Sequence, residues 1–277
     1  MIVENTPIEE YDGIYVKRED LSCLPPGPPF AKVRGLYKKL QSLKENGITT
    51  VGYCETSISM AGWGIAWIAK ELGMKTVIFN PIYKCKTNPV LEIHRSKWEE
   101  FGADVIDIPA GMAKVNFYIT RQMLFDKHKG KSFMLPLGIP FEETINEVSA
   151  EFIRSHCEKF KTIIMCVGSG TMAAGILKGI DLTGSDADLF GILCRPARNM
   201  GLKRSLILAH AGIVFGGDFF YLIDLGYGYT EKVEMSCPFP CNPYYDLKAF
   251  KFLSDCRKEG YNKYRFKEPI LFWNIGA

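Results

Sequence analysis

No apolar run in the 277 residues approaches the ~18 that a bilayer span requires, and the longest candidates alternate with charge, so no membrane segment is expected. Strong charge of either sign is missing as well. With 34 Lys and Arg against 31 Asp and Glu, the net charge is +3, which gives no polyanion footprint at the level of the whole chain and leaves only local patches. The nine cysteines have no regular spacing, and no secretory leader is read at the N-terminus; reduced thiols in a cytoplasmic protein are the expectation. Cys237 and Cys241 lie four apart, but Pro-Phe-Pro separates them and neither a second pair nor a nearby His accompanies them, so no metal site is expected. Internal repeats and low-complexity tracts are absent. What the chain does have is apolar content, 47% of its residues, enough to bury a large core in one large or two moderate domains.

The most informative stretch runs from Thr162 to Gly175. T-I-I-M-C-V is rich in β-branched and apolar residues and predicts a buried strand; G-S-G-T-M-A-A-G then predicts a tight turn into a helix beginning near Thr171. A strand, a glycine turn and a helix start together make an anion site. The N–H groups of the first turn have no intrahelical partner, glycine admits close approach, and the helix dipole favours negative charge. A phosphate is the expected guest, a plain tight turn the alternative. Gly168, Gly170 and Ala173 satisfy a loose dinucleotide fingerprint, yet no Asp or Glu closes the next strand near Cys194 to hold a ribose. No Lys-Ser or Lys-Thr follows the glycines, which argues against a nucleoside-triphosphate loop.

Upstream, the four prolines of Leu24 to Phe30 impose a stiff loop. A helix follows to about Glu45, with Val33, Leu36, Tyr37, Leu40 and Leu43 as its apolar stripe and Lys32 at its first turn. A cation there opposes the dipole. Partial desolvation beneath the proline loop would lower its pKa, the condition for a nucleophilic lysine; the bland alternative is an ammonium pointing into water. From Ile48 the pattern alternates: strands at 50–53, 76–80, 104–108 and 132–135, and helices ending near Leu72, at 89–101 and at 113–127. Such units argue for parallel sheets with helical crossovers. Ser57 and Ser59 fall in the first strand-to-helix turn, where ligands meet such sheets. Gly138 to Pro140 reads as a hinge and 141–160 as one long amphipathic helix. Beyond the glycine loop come a helix at 171–180, a strand at 189–194, a helix at 202–211, and the tyrosine turn D-L-G-Y-G-Y at 224–229. A proline loop at 238–243, a helix at 244–259 with Tyr245 and Asp246 in its first turn, and a last strand at 269–273 complete the reading.

Taken in order, V-K-R-E-D-L before Lys32, the serine turn, G-S-G-T-M-A-A-G, D-L-G-Y-G-Y, N-P-Y-Y-D-L-K-A and the closing I-L-F-W-N-I-G make a pattern. It resembles the pyridoxal-phosphate enzymes of the tryptophan-synthase β type, in particular the aminocyclopropane-carboxylate deaminase and D-cysteine desulfhydrase branch. The resemblance implies an α/β protein with the two-domain PLP fold type II, three α/β/α layers and mainly parallel sheets. It further implies a larger cofactor domain of residues 1–47 and 139–277, with a smaller α/β domain of 48–138 inserted. By the same resemblance, Lys32 forms a Schiff base with pyridoxal 5'-phosphate, Gly168, Ser169, Gly170 and Thr171 hold its phosphate, and Asp246 faces its ring nitrogen. Ser59 and Tyr245 stand beside the substrate, with Tyr227 or Tyr229 as a second tyrosine. Met60 occupies the place where relatives commonly have an asparagine contacting the cofactor's phenolic oxygen, and Ala31 precedes the lysine where asparagine is frequent; neither replaces that hydrogen bond.

The activity so implied is that of a lyase or deaminase working on an amino acid through carbanion chemistry. Two other readings are open. In one, a PLP-dependent decarboxylase or lyase acts on an amino acid attached to a larger carrier such as modified nucleic acid, a reading motivated by Met60, Ala31 and an expected trimming of the chain ends. In the other, the protein keeps the fold and binds without catalysis. A homodimer and a small amino-acid or carrier-linked substrate are the expected partners.

Overall fold

The structure is a computed structural model and describes residues 1–56, 58–82, 89–214, 217–260, 264 and 266–276; Ser57 of the serine turn lies outside them. The chain divides into two compact units, one of residues 1–24, 29–35 and 142–277, the other of residues 25–28 and 36–141.

The first unit is built on a six-stranded sheet. Its spatial order is β1 (Ile8–Tyr11), β2 (Ile14–Arg18), β10 (Ile270–Asn274), β7 (Thr162–Val167), β8 (Asp188–Leu193) and β9 (Phe220–Ile223). All neighbours are parallel except β1 and β2. The central strands are apolar on both faces, as strands covered by helices on two sides must be. Alternate residues sort cleanly: Ile163, Met165, Val167, Leu271 and Trp273 meet Phe152, Ile176 and Leu177 on one side. Ile164, Cys166, Ile270 and Phe272 meet Leu247, Phe250 and Leu253 on the other. The first side is covered by α5 (Glu142–Arg154), α6 (Thr171–Thr183) and α7 (Met200–Ala211), the second by α8 (Asp246–Lys258). The α/β architecture with mainly parallel strands is as expected.

A buried charge network ties the strands to the helices. Lys17 on β2 reaches Glu151 on α5 at 2.5 Å, and the Arg34 guanidinium contacts both oxygens of Glu19 at 2.7 and 2.8 Å. Gly35, two residues into α1 (Val33–Glu45), admits α5 closely: a Cβ there would stand 2.2 Å from the Thr144 Cα.

The second unit has a parallel four-stranded sheet ordered β5 (Asp104–Pro109), β4 (Lys75–Ile82), β3 (Thr50–Cys54) and β6 (Ser132–Met134). Its helices are the rest of α1, α2 (Ala61–Glu71), α3 (Pro89–Glu100) and α4 (Ala113–His128). Cys54, Val77, Phe79, Leu124 and Met134 form one core cluster. The start of the proline loop packs here, with the Trp63 indole donating to the Pro26 carbonyl at 3.1 Å.

Two expectations change. The single helix over 141–160 is two pieces: α5 stops at Arg154, His156 turns left-handed at φ 51°, and a 3₁₀ turn follows at Cys157–Lys159. The break lets Phe160 enter the core, where it is fully buried. The strands β1, β2 and β9 were not anticipated. At the expected hinge, the Ile139 N–H donates to the Pro136 carbonyl at 3.1 Å, closing a turn over 136–139 with Ile139 buried at φ 47°.

Candidate active site

The site grows from the carboxyl end of β7. Gly168, Ser169 and Gly170 carry the chain from the strand into α6, and Gly170 caps that helix at φ 100°, a conformation that favours glycine. Ser169 and Thr171 bond through their hydroxyls at 2.9 Å. The Lys32 ammonium donates to the Ser169 hydroxyl at 3.0 Å, across 137 residues of sequence. The two ends of the expected site therefore meet.

Lys32 sits one residue before α1 rather than inside its first turn. Its segment is fixed by the last residues of the chain: the Ala31 N–H donates to the Ile275 carbonyl at 3.1 Å, and Phe30 pairs antiparallel with Gly276. Ile275 also donates its own N–H to Asp246 Oδ1 at 3.1 Å. One residue beyond β10 thus holds both the lysine segment and the carboxyl. Burial pushes the Lys32 pKa down to about 8, with the Lys203 charge adding to the effect and Cys194 opposing it.

Asp246 is fully buried at the start of α8, and its Oδ2 has no hydrogen-bond partner among the described residues. Burial drives its pKa well above the ordinary carboxylate range, against the pull of the Ile275 N–H. Tyr245 is the N-cap residue of that helix, and its ring lies against the glycine loop: a Cβ on Gly168 would stand 3.8 Å from Tyr245 Cε1 and 3.7 Å from Cys194 Sγ. The Tyr245 and Tyr229 hydroxyls are 2.8 Å apart, and the Arg195 guanidinium stands 5.6 Å from the centre of the Tyr229 ring. The Tyr227 ring lies 5.4 Å from the Lys248 ammonium, which donates to the carbonyls of Cys194 and Gly228 at 2.9 Å each.

Ser59 and Met60 belong to the second unit. Met60 is buried at the N-cap of α2, and the Ser59 hydroxyl accepts from the Ala61 N–H at 3.1 Å. Beside them, Glu55 accepts from the Thr56 and Gly62 N–H groups at 2.9 and 2.8 Å, and burial raises its pKa to about 7.

Three groups escaped the sequence reading: Glu55, Cys194 and Lys203. A hydrogen bond from Cys166 on the adjacent strand, aided by Lys248, Arg195 and Lys203, lowers the Cys194 thiol to about 7 despite its burial. Lys203 on α7 donates to the Gly168 carbonyl at 2.8 Å. Only the C-E-T-S turn carried a visible signal, since a carboxylate at a strand-to-helix turn satisfies helix N–H groups. Among the described residues, no helix is long and apolar enough to cross a membrane, and no group of three or more His, Cys, Asp or Glu residues is placed to hold a metal ion.

A strand-glycine-helix cradle, an amine of lowered pKa bonded to it and a buried carboxyl tied through Ile275 to the same lysine segment point to one class. The family described as pyridoxal-phosphate dependent enzymes matches residues 1–214, and the chain belongs to it. Its cofactor is pyridoxal 5'-phosphate. Over the full length of both proteins the chain is 36% identical to a glycyl-dTMP PLP-dependent decarboxylase of Pseudomonas phage M6. It is 24% identical to the biosynthetic L-threonine dehydratase of Burkholderia multivorans over 210 residues, which span 74% of this chain and 39% of that one. Among solved structures, an ACC deaminase homologue superposes with a TM-score of 0.82 at 21% identity, covering 99% of this chain and 90% of its own, a likeness of fold. The residues present fit the cofactor. The unpartnered Asp246 Oδ2 is an acceptor waiting for a donor such as a protonated ring nitrogen, and the glycine loop at a helix start suits a phosphate.

Proposed function

We propose that this protein is a decarboxylase that acts on an amino acid carried by a nucleotide, with a glycyl-modified thymidylate as the substrate class. The observation that carries the reading is the full-length 36% identity to a phage enzyme described as a glycyl-dTMP decarboxylase. In this reading Lys32 would hold the cofactor through its carbonyl carbon, Gly168 to Thr171 would bind its phosphate, and Asp246 would accept from its ring nitrogen. Bound there, pyridoxal phosphate supplies an electron sink for the pair left on the substrate α-carbon when a bond to that carbon breaks. A substrate of this class would bring a primary amine to take the place of the Lys32 amine and a free carboxylate to lose as carbon dioxide, both on its α-carbon.

The chain's own groups then have distinct tasks. Asp246 stabilises positive charge at the ring nitrogen, because an unpaired buried carboxyl is costly to ionise and a cationic donor relieves that cost. Lys32, displaced by the substrate amine, holds the proton that the α-carbon takes up after carbon dioxide departs. The lowered pKa of the lysine supports this role, since an ammonium near neutrality gives up its proton readily. The hydroxyl pair Tyr245–Tyr229 orients the substrate and relays protons from one side. Arg195, exposed and stacked on Tyr229, is the group we assign to the phosphate of the nucleotide. Ser59 is proposed as a substrate residue on the strength of the family resemblance alone, and Met60 as an apolar neighbour of the cofactor on the same ground. Tyr227 is given no role at the reacting atoms. A homodimer in the cytoplasm completes the proposal.

The test compares substrates labelled with carbon-13 in the carboxylate. Labelled carbon dioxide is expected from glycyl-modified thymidylate, and release from free glycine at least a hundredfold slower. Efficient turnover of free amino acids, with elimination or ammonia release and none from the nucleotide-linked compound, would return the reaction to the lyase and deaminase class.

A further inference from the structure

The cofactor loop carries two ammonium groups. Lys32 reaches the Ser169 hydroxyl at 3.0 Å, and Lys203 reaches the Gly168 carbonyl at 2.8 Å. Lys203 is delivered by the first turn of α7, whose start is fixed by Asn199 accepting from the Leu202 N–H at 2.9 Å. No carboxylate pairs with Lys203 among the described residues, and the charges acting on it are the Cys194 thiol and the like charge of Arg195. Two cations thus converge on four residues at the positive end of α6. Each opposes the other and the helix dipole, an arrangement that an added anion would stabilise.

Lys32 cannot be that anion's lasting partner, because its nitrogen bonds the cofactor's carbonyl carbon. Backbone N–H groups of the loop carry no net charge. We propose that Lys203 is the charge partner of the cofactor phosphate, completing a site that the glycine loop and the helix start begin. The proposal rests on the cofactor of the family and not on the reaction, so it stands or falls independently of the decarboxylase reading.

Binding of pyridoxal 5'-phosphate and of pyridoxal to the apoprotein separates phosphate recognition from everything else, since the two differ by that group alone. Lys203→Gln keeps a donor for the Gly168 carbonyl and removes the charge; Lys203→Arg keeps both. With Gln, the dissociation constant for pyridoxal phosphate should rise about 10- to 100-fold while that for pyridoxal moves by less than about twofold; Arg should stay near wild type. Equal weakening of both ligands by Gln would assign Lys203 to bracing the loop and overturn the proposal, as would unchanged binding of pyridoxal phosphate. Should the Gln variant fail to fold, the wild-type protein decides. Its affinity for pyridoxal phosphate, but not for pyridoxal, should fall with added salt, and a salt-independent affinity would overturn the proposal too.

Discussion

Gly170→Ala is the sharpest test of how the phosphate loop is held. The residue has φ 100°, where an L side chain is strained by roughly 1–2 kcal/mol. The new methyl would stand 2.5 Å from Ile207 Cγ1 and 2.8 Å from its Cδ1, well inside contact distance. Ile207 is 2% exposed and packed in the main core cluster with Leu208 and Ala211, so it has little room to swing away. Overpacking of that kind costs about 1–3 kcal/mol. Together the two effects predict destabilisation of about 2–5 kcal/mol, a large share of the roughly 5–15 kcal/mol that folded domains possess.

Urea unfolding of the apoprotein measures the loss, and a cofactor titration measures what the displaced loop does to phosphate binding. Ile207→Ala separates the causes, because in the double variant the overlap is gone while the backbone strain persists. The pair should therefore couple favourably by about 1–3 kcal/mol, although Ile207→Ala alone costs about 2–5 kcal/mol. A Gly170→Ala protein within about 0.5 kcal/mol of wild type, binding cofactor as before, would refute the left-handed cap and the contact with Ile207 together.

Lys32 titrates near pH 8 in the apoprotein and must be neutral to bond the cofactor, so the capture rate should climb through pH 7 and level off above about 8. At pH 7 about a tenth of the amine is neutral, ~300-fold more than at the ordinary lysine pKa; a rate still rising tenfold per unit at pH 9.5 would show an unshifted amine. In stability the sign is the reverse of a salt-bridged lysine: the apoprotein bears the penalty of a buried ammonium below pH 8 and sheds it as pH rises from 8 toward the unfolded value. Lys17→Met should destabilise by about 3–5 kcal/mol in urea, because Glu151 would lose the fully buried cation on its Oε1 and keep only the half-exposed Arg154 at 3.1 Å and Arg34 at 3.6 Å, both on its Oε2; a loss below 1 kcal/mol would show that the network contributes little. Arg195→Ala should raise KM for the nucleotide-linked substrate about tenfold and leave cofactor affinity unchanged, and an unchanged KM would remove Arg195 from substrate recognition.

The legible parts of the chain are those whose signal is local. The strand from Thr162 and the glycine turn into α6 are written in fourteen consecutive residues, and the structure keeps them at Thr162–Val167 and from Thr171 onward. The alternating block after Ile48 reads the same way, since each strand and helix carries its own period. Short edge strands escape this reading. β1 is four residues, Ile-Glu-Glu-Tyr, with only partial burial, and shows no apolar run to find; β9, Phe220–Ile223, does carry one, but a run of that length does not distinguish a strand from a buried helix segment. His156 breaks a helix by adopting φ 51° without being glycine, which no propensity announces.

The site divides along the same line. Asp246 reads in isolation as a carboxylate favourably placed at a helix N-terminus; in the structure it is fully buried, and its Oδ1 accepts from a residue 29 positions on. Lys203 and Cys194 acquire meaning only because β7 and β8 lie side by side and α7 starts beside the glycine loop, 35 residues from Gly168. The deepest dependence runs through Ile275, whose carbonyl fixes Ala31 and whose amide fixes Asp246. Every residue except proline carries the same two backbone groups, so nothing in I-L-F-W-N-I-G distinguishes the one that sets where amine and carboxyl stand. The side chains at the two ends of the site are visible as types in the sequence; the distance between them is a property of the backbone pairing at the end of β10, and it exists only once the chain has folded.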